Sequence, residues 1–369
     1  AWVRMLESAT TTEAESAIVG IKGERRVARL RTCHDGLGAG RRAPPLVGSY
    51  AITGGLGGLG LRAASMLVDR GAAHIVLASR SGRVVRDGQG LAATLSGLGS
   101  RARVIACDSA DLSDSVAMVS SVRQMSGLLH AAGAGDKGLL VDLAPARMVW
   151  MYAPKALGAW YLHTALLDVP LELRVLYSSV GSGLSNVGQG NYAAGNACLD
   201  SHALCERSHG RVACSLQWPL VGGAGMGAGM FELANQNHVS VAGMAGITLE
   251  QYAACLSAQL TAACGSTLVG SLQLVHLSDV RELLRDLADA TQPRFAELKS
   301  QSAPPTVAAV STAPPVPTTT ARATDALSAA LSDLAPAQRR EHVEGIVLGV
   351  VQELTGSQDA GTLTAATPL

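Results

Sequence analysis

Apolar strand-type segments alternate with helix-length segments along most of this 369-residue chain. In order, the strand-type segments read SYAIT, HIVLAS, RVIACD, GLLHAAG, LRVLYSS, RVACSLQW and TLVGSLQLV. The helix-length segments include 57–70, 112–124, 143–168 and 190–209. Strands that are apolar on both faces need cover on both sides, which crossover helices provide. The alternation therefore predicts an α/β fold with a doubly wound parallel sheet and helices on both faces.

Composition divides the chain into four parts. Residues 1–46 contain the β-rich stretch AIVGIKGERRVARLR and a connector, and residues 47–290 hold the strand–helix alternation. Residues 291–335 are rich in Pro, Thr and Ala, which is typical of an extended linker. Residues 336–369 carry apolar side chains at helical spacing. Because the chain lacks an initiator Met and ends abruptly, we expect it to be a piece of a longer protein.

Charge and cysteine content argue against several classes of partner. Lys and Arg total 29, as do Asp and Glu, so no net field favours nucleic acid or an anionic membrane. No apolar run reaches the roughly 20 residues of a membrane span, and the N-terminus lacks the order of a signal peptide. Seven cysteines without a C-x-x-C pair indicate reduced thiols. We expect a cytoplasmic or organelle-matrix protein that is not secreted.

A glycine-rich segment follows the first strand of the alternation and opens a helix. It contains the pattern Thr53-Gly54-x-x-x-Gly58-x-Gly60. Glycines let the backbone approach a pyrophosphate, and free amides at the helix start stabilise its charge. The pattern predicts a Rossmann-like nucleotide site, with a ligand-free turn as the alternative. Its residues are Thr53, Gly54, Gly55, Leu56, Gly57, Gly58, Leu59 and Gly60.

The ends of the next two strands indicate which nucleotide binds. Arg80 and Ser81 stand where an acidic residue would bind a ribose 2'-hydroxyl, and they suit a 2'-phosphate instead. NADP is therefore favoured over NAD. The alternative is an ordinary exposed arginine, since Arg83 and Arg86 make the whole loop basic. Asp108 is either an acceptor for the adenine amino group or a helix cap.

Tyr192 is a candidate proton donor for carbonyl reduction. Hydride delivery to a ketone leaves an alkoxide, which needs a proton and a partner for its charge. A phenol is a weak acid at neutral pH, so a nearby cation is required. Ser179, at the end of a strand, could bind the carbonyl oxygen, although in isolation both side chains suit structural roles. The lysine usual four residues after such a tyrosine is replaced by Asn196.

Seven segments occur in order through the chain: SYAITGGLGGLG, LASRSG, CDSAD, GLLHAAGAGDKGLL, APKALGAWYLH, YSSVGSGLSNVGQGNYAAGNACLD and WPLVGGAGM. Over most of residues 15–290 the chain thereby resembles the ketoreductase domains of modular polyketide synthases, within the short-chain dehydrogenase/reductase superfamily. In that family the lysine lies on the preceding long helix. The resemblance implies that Lys155, Ser179, Tyr192 and Asn196 are the catalytic residues. Pro154 is expected to kink or start the lysine's helix.

The resemblance also implies a reaction and its partners. The reaction is NADPH-dependent reduction of a β-ketoacyl thioester. The partners are the phosphopantetheinylated acyl carrier protein that carries this thioester and the neighbouring synthase domains. Residues 1–46 look like the closing strands of a structural subdomain, and residues 336–369 look like the start of an acyl carrier domain. Implied cofactor contacts are the glycine segment, Lys155, Tyr192, Ser79, Arg80, Ser81, Asp108, Ser109, Ala131, Ala132 and Gly133. Implied substrate and lid residues are Leu184, Gln189, Pro219, Leu220, Val221, Gly225 and Met226.

The chain departs from the family pattern at positions that set stereochemistry. Gly135-Asp136-Lys137 keeps only the first acid of the Leu-Asp-Asp motif of one class, and Leu184 replaces the tryptophan of the other. Product stereochemistry is therefore open. Val221 replaces a second tryptophan, while Gln189 keeps the usual glutamine. The glycine-rich run 222–229 is expected to form a mobile lid.

Other interpretations compete with a modular polyketide ketoreductase. Four helical positions, Cys198, His202, Cys205 and His209, spread over three turns and cannot converge on one metal ion, so we expect a packing face and no metal. A non-catalytic scaffold disagrees with the complete catalytic set. A stand-alone alcohol dehydrogenase disagrees with the exchanged lysine and the flanking segments. The equivalent ketoreductase of a fatty-acid synthase remains open.

Overall fold

A seven-stranded parallel sheet forms the centre of the protein. The computed structural model describes residues 17–19, 25–27, 45–86, 88–135, 138, 142–184, 188–225, 228, 246–263, 272–273, 280–286, 291–302, 338–339 and 345. The strands of this part of the chain are β1 Ala17–Val19, β2 Arg25–Val27, β3 Ser49–Thr53, β4 His74–Ser79, β5 Ala102–Ala106, β6 Met125–His130, β7 Leu173–Ser179, β8 Cys214–Trp218 and β9 Leu272–Gln273. β1 and β2 pair with each other in an antiparallel arrangement.

The order of strands in the sheet places a ligand site at its centre. The order is β5-β4-β3-β6-β7-β8-β9, and every neighbouring pair is parallel. From β3 the chain first moves outward to β4 and β5, and then crosses to β6 on the other side. The carboxyl ends of β3 and β6 therefore flank the point where the winding direction reverses, which is where open α/β sheets bind ligands. The predicted α/β fold is confirmed.

Helices connect the strands. They are α1 Gly58–Asp69, α2 Leu91–Gly97, α3 Leu112–Ser120, α4 Pro145–Tyr152, α5 Gly158–Ala165, α6 Val180–Leu184, α7 Gly190–Ser208, α8 Leu249–Ala263, α9 Val280–Asp286 and α10 Ala296–Ser302. None of the helices in the described ranges combines the length and apolar character that a bilayer span requires.

Two apolar clusters cover the two faces of the sheet. On one face Ile52 of β3 packs with Leu67 of α1 and Leu256 of α8, and all three are fully buried. On the other face Ala51 of β3 belongs to a cluster that includes Leu162 of α5. Adjacent residues of a strand point to opposite faces, so β3 contributes to both clusters. This burial explains why the strand segments of the sequence are apolar throughout.

The long helix expected at 143–168 is interrupted in the structure. A π-helical turn, Ala153–Leu157, lies between α4 and α5. Pro154 lies in this turn, and proline has no amide hydrogen with which to continue the α-helical ladder. The amide of Gly158 reaches back five residues to the carbonyl of Ala153. The kink expected at Pro154 thus takes the form of a π turn that contains Lys155.

Residues 291–302, at the start of the predicted linker, form two short helical elements. A short 3-10 helix, Pro293–Phe295, leads into α10. Phe295 and Leu298 are fully buried and pack with Val180 and Leu184 of α6. Residues 291–302 therefore pack against α6, and the rest of the predicted linker 291–335 lies outside the described residues.

Contacts divide the chain into two compact units. The first comprises 1–136, 144–186 and 190–302, and the second comprises 137–143, 187–189 and 303–369. Within the second unit the amide of Gly138 donates to the carbonyl of Gly188 at 2.8 Å. The predicted carrier segment lies outside the described residues except for 338–339 and 345, so it stays a prediction.

A buried ion-pair cluster joins α7 to β7. Glu206 of α7 accepts from Arg174 Nη1 of β7 at 3.0 Å and from Arg211 Nε at 2.8 Å. His163 Nδ1 lies 3.1 Å from the same carboxylate. Burial alone would raise the pKa of Glu206, but the Arg211 hydrogen bond and the Arg174 and His163 charges lower it to about 2. The cluster therefore holds an ionised carboxylate between β7 and α7.

His202 completes this cluster. Its Nε2 lies 3.0 Å from Arg174 Nη2, and since a guanidinium can only donate, this imidazole nitrogen accepts. Burial and the Arg174 charge lower the pKa of His202 to about 4. His163, His202 and Glu206 have ligand atoms within 4.8 Å of one another. However, two arginines already neutralise the carboxylate, so the group is an ion-pair network rather than a cation site.

We expect Glu206→Ala to lower the free energy of unfolding by about 3 kcal/mol or more, because it leaves the Arg174 guanidinium buried without its counter-ion. The pKa of Glu206 is depressed, so its stabilising contribution is present above the ordinary carboxyl range and is lost as pH falls towards 2. Urea titration measures the change. Glu250→Ala is the matched control, since that carboxylate pairs with Arg62 at an exposed site and its loss should scarcely move the midpoint. Equal effects of both substitutions would contradict the expectation.

Candidate active site

The glycine segment forms a tight turn between β3 and α1. Gly54 has a φ of +66°, and a Cβ there would lie 2.6 Å from the carbonyl oxygen of Ala131, at the end of β6. A Cβ on Gly60 would lie 2.5 Å from the Gly54 carbonyl oxygen. A Cβ on Gly58 would lie 2.6 Å from the backbone of Ala224. Only glycine allows these backbone segments to approach so closely.

The first turn of α1 is suited to an anion. Gly57 is the N-cap and provides no side-chain hydrogen bond, and no acidic residue lies in the first turn. A Cβ on Gly57 would meet only the Gly54 carbonyl oxygen, at 3.3 Å. The amides at this helix start are therefore not capped by a side chain, and the helix dipole favours negative charge there. These residues fit a pyrophosphate.

The predicted 2'-phosphate and adenine residues lie at the ends of the neighbouring strands. Arg80 directly follows β4 and is exposed. Ser79 and Ser81 accept hydrogen bonds from the amides of Gly82 and Arg83, at 3.1 and 3.3 Å. The carboxylate of Asp108 accepts from the amide of Ala110 at 3.0 Å, whereas the cap of α3 is Asp111. Asp108 is therefore not the helix cap that the sequence left as its alternative role.

Lys155 is buried where the π turn passes the ends of β6 and β7. Its Nζ donates to the carbonyl oxygen of Tyr177 in β7 at 3.0 Å and lies 5.6 Å from the centre of the Tyr192 ring. A Cβ on Gly133 would meet Lys155 Cε at 3.0 Å. The side chain is 5% exposed. The structure thus brings a lysine from the preceding helical segment beside Tyr192.

Burial shifts the protonation of this lysine. Desolvation of the ammonium lowers the pKa of Lys155 to about 8, while the charge of Asp200 acts in the opposite direction. At neutral pH the ammonium is therefore largely retained. An ammonium has three donors, and the described contacts use one of them on the Tyr177 carbonyl.

Tyr192 and Asn196 lie one turn apart on α7. Asn196 Nδ2 donates to the carbonyl oxygen of Tyr192 at 2.8 Å. Asn196 is fully buried, and its Oδ1 has no hydrogen-bond partner within the described part of the chain. Ser178 Oγ donates to the backbone carbonyl of Asn196 at 3.2 Å, which ties α7 to the end of β7. The tyrosine ring is half-buried.

Ser179 ends β7, and its surroundings are organised by Asp200. Ser182 Oγ donates to Asp200 Oδ2 at 2.7 Å and lies 2.8 Å from the Ser179 carbonyl oxygen. Ser215 and Gln217 of β8 donate to the same carboxylate, each at 2.6 Å. Asp200 therefore fixes the turn after β7 to both α7 and β8.

The predicted substrate and lid residues lie in several separate parts of the structure. Val221 is buried and forms a parallel bridge with Ile247, which closes the base of the segment expected to be a lid. Within that segment the amide of Gly225 donates to Gln89 Oε1 at 2.9 Å. Leu184 packs in the α6 cluster. Pro219 is buried, Leu220 is half-buried, Gln189 belongs to the second unit, and Met226, Asp136 and Lys137 lie outside the described residues. The substrate roles stay predictions.

Sequence reasoning missed two polar residues that support the site. His130 ends β6 fully buried, and Asp200 accepts three side-chain hydrogen bonds. A histidine at the end of the otherwise apolar run GLLH is the signal that could have identified the first. Asp200 lies eight residues after Tyr192, about two helical turns further along α7.

Comparison with known proteins gives one consistent family. Residues 48–223 match the family model described as KR domain. The chain is 33% identical over 326 residues to spectinabilin polyketide synthase system protein NorB of Streptomyces orinoci, covering 87% of this chain and 14% of that protein. It is 37% identical over 266 residues to polyketide synthase GfsA of Streptomyces halstedii, covering 69% of this chain and 4% of that protein. The chain thus spans a small part of each relative.

Solved structures show the same similarity. A structure of A-type ketoreductases from a modular polyketide synthase matches with a TM-score of 0.63 at 28% identity, covering 75% of this chain and 57% of that one. The first ketoreductase of the tylosin synthase matches with a TM-score of 0.58 at 30% identity, covering 73% of this chain and 56% of that one.

Proposed function

We propose that this chain reduces a β-ketoacyl thioester to a β-hydroxyacyl thioester with NADPH, a proposal supported by the match of residues 48–223 to the KR domain model and by the similarity to ketoreductases of modular polyketide synthases. The observation that carries the proposal is the position of Lys155. Its ammonium lies 5.6 Å from the centre of the Tyr192 ring, although it comes from a different helical segment. A buried cation beside a phenol is what proton donation from tyrosine requires.

The residues around Tyr192 have separate roles in this reaction. NADPH, when bound, would supply the hydride that the carbonyl carbon of the substrate accepts. Tyr192 donates its phenolic proton to the carbonyl oxygen, which becomes the hydroxyl of the product. The Lys155 ammonium stabilises the resulting phenolate until a solvent proton replaces the one transferred. Ser179 donates a hydrogen bond to the substrate carbonyl oxygen, and Asn196 orients the start of α7 through the Tyr192 carbonyl.

The nucleotide end of the sheet supports NADPH as the cofactor. The first turn of α1 would hold the pyrophosphate, and Arg80 would hold the 2'-phosphate by charge-assisted hydrogen bonds. The short loop between β4 and α2 also contains Arg83, so the local field is positive.

A carrier-bound substrate and neighbouring synthase domains are part of the same proposal. Support comes from the relatives, which are polyketide synthases of which this chain covers 14% and 4%. In this setting the thioester arrives on the phosphopantetheine arm of an acyl carrier protein. The product returns to that carrier for the next synthase domain.

We expect Tyr192→Phe to lower kcat/KM for reduction of a β-ketoacyl-N-acetylcysteamine thioester by about 10²- to 10⁴-fold, because it removes the proton donor. The assay follows NADPH oxidation. Tyr161→Phe is the matched control, since this half-buried tyrosine of α5 lies outside the candidate site and should keep wild-type activity. Wild-type turnover no faster than that of Tyr192→Phe would favour a non-catalytic scaffold and refute the proposal.

The cofactor proposal has its own test. Arg80→Ala should raise KM for NADPH about ten-fold or more while leaving KM for NADH nearly unchanged, because only NADPH has the charge that Arg80 would bind. Arg101→Ala is the control, since this exposed arginine precedes the amino end of β5, away from the strand ends that bear the site. Equal rates of the wild type with both cofactors would reject the 2'-phosphate role.

The rate should fall at alkaline pH with an apparent pKa near 8, because Lys155 then loses the charge that stabilises the phenolate. The pKa is lowered from its ordinary value of 10.5, so burial of the ammonium costs stability below about pH 8. That cost disappears as pH rises towards 10.5. Measuring kcat from about pH 6 to pH 10 at saturating NADPH tests this expectation. The residual activity of Lys155→Met should show no such decline. A wild-type kcat that stays unchanged up to pH 10 would contradict the expectation.

A further inference from the structure

His130 connects the strand end of the glycine segment to the turn that carries Lys155. Its Nδ1 lies 2.7 Å from Thr53 Oγ1, and its Nε2 lies 3.2 Å from the carbonyl oxygen of Lys155. A carbonyl oxygen only accepts, so Nε2 carries the hydrogen and Nδ1 accepts from the Thr53 hydroxyl. The two contacts thus fix a single neutral tautomer, and both ring nitrogens are satisfied.

The turn is built to receive this imidazole. A Cβ on Gly158 would lie 3.0 Å from His130 Cε1 and 3.0 Å from Ser109 Oγ, so glycine leaves room for both side chains. Ser109 Oγ donates to the Pro154 carbonyl at 3.5 Å. Consecutive carbonyls of the π turn, at Pro154 and Lys155, therefore receive side-chain hydrogen bonds from outside the helix. The Lys155 carbonyl also accepts from the amide of Gly158, so the imidazole adds a second donor to it.

His130 is unsuited to donating a proton itself. It is fully buried, and burial lowers its pKa to about 3, so it remains neutral at physiological pH. Its Nε2 hydrogen faces a backbone carbonyl rather than the space beside Tyr192. The contact with Lys155 is to the main chain, so the imidazole can act on the ammonium only by setting where the residue's backbone lies.

We propose that His130 is a positioning residue: its neutral imidazole donates to the Lys155 carbonyl and so fixes the backbone that places the ammonium, while the Thr53 contact sets the tautomer that makes this donation possible. The inference rests on the proposed reduction. Proton donation and hydride delivery must meet at one carbonyl group, and displacement by about 1 Å can cost a hundred-fold in rate. The hydrogen bond from Nε2 to the Lys155 carbonyl is the contact through which His130 acts on this geometry.

Two isosteric substitutions separate the two contacts. The amide of glutamine reaches the position of Nε2, so His130→Gln keeps a donor for the Lys155 carbonyl and gives up the contact with Thr53. The amide of asparagine reaches the position of Nδ1, so His130→Asn keeps an acceptor for Thr53 and gives up the contact with Lys155. Each variant retains one hydrogen bond and leaves part of the space of the imidazole ring unfilled. A purely structural role of His130 therefore predicts a similar decrease of kcat for both variants.

The measurement is reduction of the β-ketoacyl-N-acetylcysteamine thioester with NADPH, with kcat and both KM values determined separately. We expect His130→Asn to lower kcat about ten-fold or more with KM values within about three-fold, and His130→Gln to stay within about three-fold of wild type. Equal kcat values for the two variants, or the lower value for His130→Gln, would overturn the inference. A wild type without reductase activity would instead refute the proposed function.

A substitution in α5, Gly158→Ala, provides a second test in case His130→Asn does not fold. Gly158→Ala adds a methyl group against His130 while keeping the histidine and Thr53, and alanine is favoured over glycine in a helix. It should lower kcat about three-fold or more at unchanged KM, because the imidazole must move away from the turn. Gly97→Ala in α2 is the control, since a Cβ there has nothing within 4 Å. Wild-type kcat in Gly158→Ala would then overturn the inference.

Discussion

The buried ammonium of Lys155 is the constraint around which the site is arranged. Removing a cation from water costs several kcal/mol unless dipoles or charges replace the lost hydration. The protein offers the carbonyl oxygen of Tyr177 at 3.0 Å and the face of the Tyr192 ring. These partners come from β7 and α7, so both elements must be packed correctly before the lysine is tolerated. Catalytic geometry and folding thus depend on the same contacts.

The buried cations Arg174 and Lys155 differ in whether a carboxylate contacts them directly. Arg174 is paired with the carboxylate of Glu206 and contacts His202, so its charge is balanced on the spot. The described contacts give Lys155 a carbonyl and an aromatic face, but no carboxylate within bonding distance. Asp200 acts on the Lys155 charge only from a distance, so the ammonium still exerts a strong field on the neighbouring phenol. The first arrangement stabilises the junction of β7 and α7, and the second leaves the ammonium to stabilise a phenolate in the proposed reaction.

Much of the fold could be read from the sequence because its signals are local. Strand segments apolar on both faces predicted the parallel sheet, and the glycines after β3 marked the turn into α1. The roles of His130 and Asp200 could not be read in this way. His130 contacts Thr53, 77 residues earlier in the chain, and Asp200 of α7 contacts Ser215 of β8. No periodicity in the sequence encodes such contacts. The packing of residues 291–302 could not be read either, since Phe295 is apolar in a polar context and only its burial shows that this segment packs against α6.

The π turn at Ala153–Leu157 also determines what changes of length this region can accept. A π turn contains one residue more than the α-helix it interrupts. Deleting a residue of the turn other than Pro154 would place this proline inside a continuous α-helix, where its ring and its missing amide hydrogen disrupt the hydrogen-bond ladder. Lys155 would then move relative to the Tyr177 carbonyl that its ammonium contacts. The length of this stretch is therefore constrained as well as the identity of its residues.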